Sequence, residues 1–110
     1  MADQSDRIPV VGRTFEHNFG DVLVFHVRYE SDNSMTYTAV KGSSEPGAQD
    51  TFQREMTELR PNVYMLMWQD ADDGSTVTQI EDFERQVVYS NVTTSDDVFV
   101  SLTGTLKPVA

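Results

Sequence analysis

The sequence predicts an all-β domain, an eight-stranded antiparallel up-and-down barrel. Turn-forming residues recur about every ten residues, and the segments between them are rich in Val, Tyr, Phe and Thr. Eight antiparallel strands can close on themselves, which removes exposed strand edges. The interior of such a barrel is either filled by side chains or holds one small ligand, and the sequence is compatible with both.

Turn residues divide the first half of the chain into strands. Pro9 and Gly12 mark the entry to the fold, and Gly20 ends the first strand. A Ser-Asp-Asn-Ser turn at 31–34 and a loop at 42–49, which carries Pro and Gly, follow the next two strands. The eight predicted strands cover residues 13–18, 22–29, 35–41, 51–59, 63–69, 76–83, 87–93 and 98–106.

The second half is punctuated in the same way. An acidic turn at 70–74 ends in Gly74, a Ser-Asp-Asp turn occupies 95–97, and Pro108 ends the regular structure. Gly104 stands alone in the last strand and predicts a bend there.

The segment 51–59 carries a conflicting signal. Phe52, Met56 and Leu59 recur at helical spacing, and Asp50 could cap a helix. A helix there would be isolated among strands, so the residues alone leave strand and helix open.

Size and composition restrict the function classes. The chain of 110 residues is one domain, for which we expect a flexible tail over residues 1–10 and a barrel over 11–110. It has no cysteine, which excludes disulfides, thiolate metal sites and a cysteine nucleophile. The N-terminus lacks an apolar signal core and no apolar run reaches transmembrane length, so we expect a soluble cytoplasmic protein.

The protein is strongly acidic, with a formal net charge of −10. Such a surface repels phosphate backbones and anionic lipids, so nucleic-acid and membrane partners are not expected. The chain has only two histidines, His17 and His26, and their spacing matches no metal motif, so we expect no metal and no cofactor.

Strand 63–69 is apolar on both faces. Alternation places Val63, Met65 and Met67 on one face and Tyr64, Leu66 and Trp68 on the other. Ordinary core on one face and a covered surface on the other, such as a homodimer interface, explains this pattern. Alternatively, the methionines line an adaptable ligand pocket, because their side chains fill irregular space.

Strand 76–83 supplies the candidate acid–base group. Glu81 and Asp82 point to opposite faces, so one carboxylate faces the interior. There it would have a raised pKa and could act as a general acid or base, or it could be neutralised by Arg54 or hydrogen-bonded to tyrosines. Tyr37 and Tyr89 are candidate donors to a ligand oxygen, whereas Tyr64 reads as core.

The two histidines are interpreted differently. In strand 22–29 the set Leu23, Phe25, Val27 and Tyr29 reads as core, which places His26 on the outer face. His17 is either a surface residue or an assistant to an interior carboxylate.

Three stretches resemble the MoaF-like group of small calycin proteins, which have lipocalin-like barrels. They are Gly-Arg-Thr-Phe at 12–15, the Tyr–Trp–Gln strand within 58–70, and Glu-Asp-Phe at 81–83 followed by 88–93 and 102–106. The resemblance covers most of residues 12–107. It implies a closed antiparallel barrel, and on that basis 51–59 is predicted to be a strand.

A more distant resemblance is to phenolic acid decarboxylases, which share the barrel. Their strand 1 carries a Tyr–x–Tyr pair, where this chain has Phe15 and His17. Asp70 stands near their catalytic glutamate, and Arg54 corresponds only approximately to the arginine that grips their substrate. These departures remove most of the phenol- and carboxylate-binding groups.

Three functional hypotheses follow from these observations. The first is a barrel that binds a small apolar or aromatic molecule, with contacts from Tyr37, Arg54, Met56, Met67, Trp68 and Tyr89. The second is a cofactor-free enzyme, a lyase or decarboxylase, an isomerase or a cyclase, with Glu81 or Asp70 as the acid–base and His17 or Tyr89 assisting. The third is a filled barrel with a structural or interaction role.

Overall fold

The computed structural model describes residues 8–42, 45–70 and 74–109, and these residues form nine strands and no helix. The all-β, up-and-down prediction is therefore confirmed. The predicted tail, apart from its last three residues, and the tip of the acidic turn at 71–73 lie outside the described residues. The strands are β1 (Thr14–Phe19), β2 (Leu23–Tyr29), β3 (Ser34–Lys41), β4 (Gln49–Gln53), β5 (Glu55–Arg60), β6 (Val63–Gln69), β7 (Thr76–Asp82), β8 (Val87–Thr93) and β9 (Phe99–Pro108).

The strands form one antiparallel sheet in the order β4-β3-β2-β1-β9-β8-β7-β6-β5. Strands that are adjacent in the sheet are consecutive in sequence, except at the centre, where β1 pairs with β9 and joins the two ends of the domain. The sheet curls into a half-barrel, so the inward face of each strand points to a shared interior.

The predicted strand 51–59 is two strands that meet at Arg54. Met35 pairs with Phe52 in one ladder and Leu66 pairs with Met56 in the other, so residues 52, 54 and 56 alternate along an extended chain. The helical spacing was misleading because the middle position of this period-two pattern is an arginine, and Leu59 is exposed. The strand prediction is confirmed.

The two edge strands of the half-barrel are consecutive in the chain. β4 forms one edge of the sheet and β5 the other, and in the described residues no ladder joins them. The chain passes between the two edges through Arg54 alone. Its backbone N–H donates to the carbonyl of Asn33 (2.9 Å), which continues the β3–β4 pairing by one residue.

One end of the half-barrel is packed with aromatic rings. Phe15 meets Phe83 edge-to-face at 4.9 Å and Tyr29 at 5.8 Å, and Tyr64 packs against Phe83 at 5.9 Å. Val10 is buried in the same cluster. The interior is therefore filled at this end, and any ligand space lies toward the other.

The described part of the chain contains no membrane-spanning helix.

Candidate functional site

A cavity of about 490 Å³ opens at the end of the half-barrel opposite the packed rings. Its volume lies in the range of small-molecule sites. The sequence was compatible with either a filled or a hollow interior, and the structure shows that this end is hollow. The cavity is lined by Phe19, Leu23, Phe25, Tyr37, Ala39, Ala48, Gln49, Asp50, Phe52, Trp68, Asp70, Val77, Gln79, Ser90, Val92 and Leu102.

An aromatic wall forms one side of the cavity. Tyr37 lies at its centre, with ring centroids 5.2 Å from Phe25, 5.3 Å from Phe52 and 6.0 Å from Trp68. These four residues are partly buried and come from β2, β3, β4 and β6. The wall therefore extends from the edge strand β4 to β6, the neighbour of the other edge strand, and offers flat apolar faces to a ligand.

The floor of the cavity is polar. Tyr37 Oη donates to Gln79 Oε1 at 3.4 Å, and Gln79 Nε2 donates to Ser90 Oγ at 3.1 Å. Gln79 and Ser90 are cross-strand partners on β7 and β8, and both are buried. Sequence reasoning did not select this pair, although alternation placed Gln79 on the same face as Glu81.

A second hydrogen-bonded chain contains the candidate acid–base residues. Tyr29 Oη donates to Glu81 Oε1 at 2.5 Å, and His17 Nε2 lies 3.0 Å from the same hydroxyl. When Glu81 is ionised, Tyr29 donates to it, and His17 Nε2 then carries the imidazole proton and donates to the tyrosine oxygen. All three side chains are fully buried.

Burial sets the protonation states of this chain. It lowers the pKa of His17 to about 3, so the imidazole is neutral. Burial also raises the pKa of Glu81 to about 7, against the opposing effects of the Tyr29 hydrogen bond and the Arg54 charge. Glu81 Oε2 and His17 Nδ1 are buried and have no partner. Glu81 can therefore give or take a proton near neutral pH.

The chain of Glu81, Tyr29 and His17 lies directly behind the cavity floor. Glu81 is the next inward residue after Gln79 on β7. Burial, and then the charge of Glu81, raises the pKa of Tyr37, which indicates that the carboxylate is close to this floor residue.

The structure brings some of the predicted site residues together. Glu81 and His17 meet through Tyr29, so the surface interpretation of His17 is wrong. Tyr37 and Trp68 line the cavity, and their contact with a ligand stays a prediction. Asp70 lies at the mouth, about 20 Å along β7 from Glu81, so the two carboxyl groups do not form an acid–base pair.

The remaining predicted contacts lie elsewhere. The Arg54 guanidinium donates to the carbonyls of Asp32 and, at 3.2 Å, Ser31, so it holds the β2–β3 turn rather than a ligand. Met56 packs against the core outside the cavity lining. Met67 and Tyr89 point to the outer face, because both fall out of phase with the inward residues of their strands, and Tyr89 is 49% exposed.

Comparisons with known proteins agree with this architecture. A search of curated proteins found no match. A solved structure described as a "putative beta-lactamase from Burkholderia vietnamiensis" is similar, with a TM-score of 0.81 and 30% identity, over 94% of this chain and 98% of that one. A family model described as MoaF-like matches residues 11–107. The chain therefore belongs to the MoaF-like family.

Proposed function

We propose that this protein binds a small, flat, largely apolar molecule in the open end of the half-barrel. The observation that carries the proposal is the cavity of about 490 Å³ between an aromatic wall and a polar floor. Ligand sites combine apolar walls with a few placed polar groups in this way. Tyr37, Phe52 and Trp68 would contact the ligand body, and Gln79 and Ser90 its polar atoms.

Calorimetric titration with 2-naphthol tests the proposal, with Leu102→Trp as the blocking variant. Leu102 lines the cavity on β9, so an indole there occupies the ligand space. Thr103→Trp is the matched control, because Thr103 is the next residue and is exposed. We expect saturable binding to the wild type and to Thr103→Trp, and loss of binding in Leu102→Trp. Equal binding to both variants, or none to the wild type, would contradict a cavity site.

A second candidate function is cofactor-free acid–base catalysis by a lyase or decarboxylase, an isomerase or a cyclase. It is favoured by Glu81, whose Oε2 is buried without a partner and whose pKa is raised by burial to about 7. Product analysis after incubation with each bound compound tests it. Glu81→Gln should then abolish turnover and retain binding, and unchanged turnover would exclude Glu81 as the acid–base.

The sequence lacks the serine β-lactamase motif that the name of the Burkholderia protein suggests. Thr38 and Gly104 stand three residues before the two lysines, so the chain lacks the Ser-x-x-Lys stretch of serine β-lactamases. Within residues 8–42, 45–70 and 74–109 no group of three or more His, Cys, Asp or Glu side chains could hold a metal ion.

The homodimer and the cytoplasmic location stay predictions. Support for the dimer comes from the outer face, where Met65, Ile80 and Tyr89 are aligned across β6, β7 and β8. Together they form a partly exposed apolar row of the kind that a second copy could cover.

A further inference from the structure

We propose that the cavity selects ligands by charge: it takes an uncharged hydroxyl or carbonyl group between Tyr37 and Gln79 and rejects the corresponding carboxylates. This inference rests on the proposed binding function and defines the ligand class. It is drawn from the hydrogen bonds of the floor and from the charges around it.

The floor offers both a donor and an acceptor to an uncharged polar group. The bond from Tyr37 Oη to Gln79 Oε1, at 3.4 Å, is longer than a good O–H···O hydrogen bond and therefore weak. A ligand hydroxyl placed there accepts from Tyr37 and donates to Gln79, and a ligand carbonyl accepts from Tyr37. Gln79 stays oriented meanwhile, because its Nε2 donates to Ser90.

The floor offers an anion neutral hydroxyl and amide donors but no cationic partner in contact. No Lys, Arg or His side chain of the described residues lines the cavity. Arg54 is buried, and its guanidinium donates to the carbonyls of Ser31 and Asp32. A carboxylate on the floor would lose its hydration without a cationic partner, and this is costly in an apolar site.

The carboxyl groups around the cavity add repulsion. Glu81 lies behind the floor, and Asp50 and Asp70 lie in its lining. The whole chain adds a formal net charge of −10. An anion therefore meets unfavourable charge at the mouth and at the floor, whereas an uncharged ligand of the same shape meets neither.

Calorimetric titration at pH 7.5 with three probes of one ring system tests this selection. The probes are 2-naphthol and 2-acetonaphthone, both uncharged, and 2-naphthoate. We expect each uncharged probe to bind about tenfold or more tightly than 2-naphthoate. Naphthoate binding as tight as that of 2-naphthol would overturn the inference and leave cavity binding intact. If no probe binds, the proposed function fails and the inference fails with it.

Two isosteric variants locate the selection. Gln79→Leu should weaken 2-naphthol about tenfold, because it removes the acceptor of the ligand proton. Glu81→Gln should strengthen 2-naphthoate relative to 2-naphthol, because it removes the charge behind the floor. Thr78→Val changes an outward residue of the same strand and is the control. It should leave both the 2-naphthol affinity and its ratio to the 2-naphthoate affinity unchanged. If neither test variant changes the ratio of the 2-naphthol affinity to the 2-naphthoate affinity, the floor does not discriminate between charged and uncharged ligands.

Discussion

Glu81 and His17 are ionisable side chains in an interior that otherwise consists mainly of apolar groups. Residues of these types are rarely fully buried unless they are paired. Here the hydroxyl of Tyr29 satisfies one atom of each, since it accepts from His17 and donates to Glu81. The order of this chain leaves Oε2 of Glu81 as the one oxygen of that carboxylate available for further bonding.

These two residues predict a pH profile of stability. Burial raises the pKa of Glu81 from its ordinary 4.5 to about 7, so its contribution to stability is lost as pH rises from about 4.5 to 7. His17 has a pKa of about 3 against 6.5, so its contribution is lost as pH falls from about 6.5 to 3. The two slopes oppose each other between pH 4.5 and 6.5.

Urea unfolding of the wild type and of Glu81→Gln between about pH 4.5 and 7 measures how much the ionisation of Glu81 contributes to the pH dependence of stability. We expect the free energy of unfolding of the wild type to fall relative to Glu81→Gln by up to about 3 kcal/mol as pH rises through the window. Glu55→Gln, an exposed substitution on β5, is the control and should show no such trend. A pH-independent difference between wild type and Glu81→Gln would show that Glu81 ionises normally.

At the scale of the elements, one glycine allows β1 and β9 to pack closely. A Cβ on Gly104 would lie 2.4 Å from the carbonyl oxygen of Asn18 and 2.8 Å from the Phe19 ring. The sequence predicted a bend at this position, and the structure shows a close approach of two backbones. The pairing of β1 with β9 holds the ends of the domain together, so it depends on the absence of a side chain here.

Gly104→Ala should therefore destabilise the protein, although alanine usually suits a strand better than glycine. We expect the free energy of unfolding to fall by about 1–3 kcal/mol, as is typical of overpacking. Thr103→Ala changes an exposed neighbour on the same strand and should shift stability by less than about 0.5 kcal/mol. Thermal or urea unfolding of both variants measures this, and an equal effect in both would contradict the steric explanation.

At the scale of the whole molecule, negative charge is in excess and only weakly paired. The formal net charge is −10, and the ion pairs seen in the described residues are mostly solvent-exposed, such as Arg28–Glu30 and Arg60–Glu84. Exposed pairs contribute little, so self-repulsion of the acidic surface remains largely uncompensated.

Screening by salt should therefore stabilise this protein at neutral pH. We expect the midpoint of urea unfolding at pH 7.5 to rise when sodium chloride is increased from about 10 mM to about 150 mM, since the Debye length then shortens from roughly 30 to 8 Å. The effect should shrink near pH 4, where many carboxylates are protonated. A midpoint that falls with salt at neutral pH would indicate that favourable ion pairs dominate instead.

The fold class followed from the sequence because its signals are local. Gly20, the segment 31–34 and the other turns define strand ends through backbone preferences that neighbouring residues do not alter. Alternation likewise assigned Tyr29 to the core face and His26 to the outer face of strand 22–29, and it required that either Glu81 or Asp82 face inward. The helical spacing around Met56 failed because a buried arginine at position 54 hid the period of two.

The site depended on tertiary structure because its residues are far apart in the chain. The buried hydrogen-bonded chain draws its residues from β1, β2 and β7, namely His17, Tyr29 and Glu81. No local sequence pattern predicts that these three side chains meet. The hollow end exists because aromatic packing fills only the opposite end, and Arg54 is a structural residue because the β2–β3 turn lies within its reach. The sequence by itself determined the strands, the core face of strand 22–29 and the net charge, which depend on short-range preferences and composition. Only the tertiary structure decided the cavity, the floor and the buried hydrogen-bonded chain, because these depend on how distant strands pack.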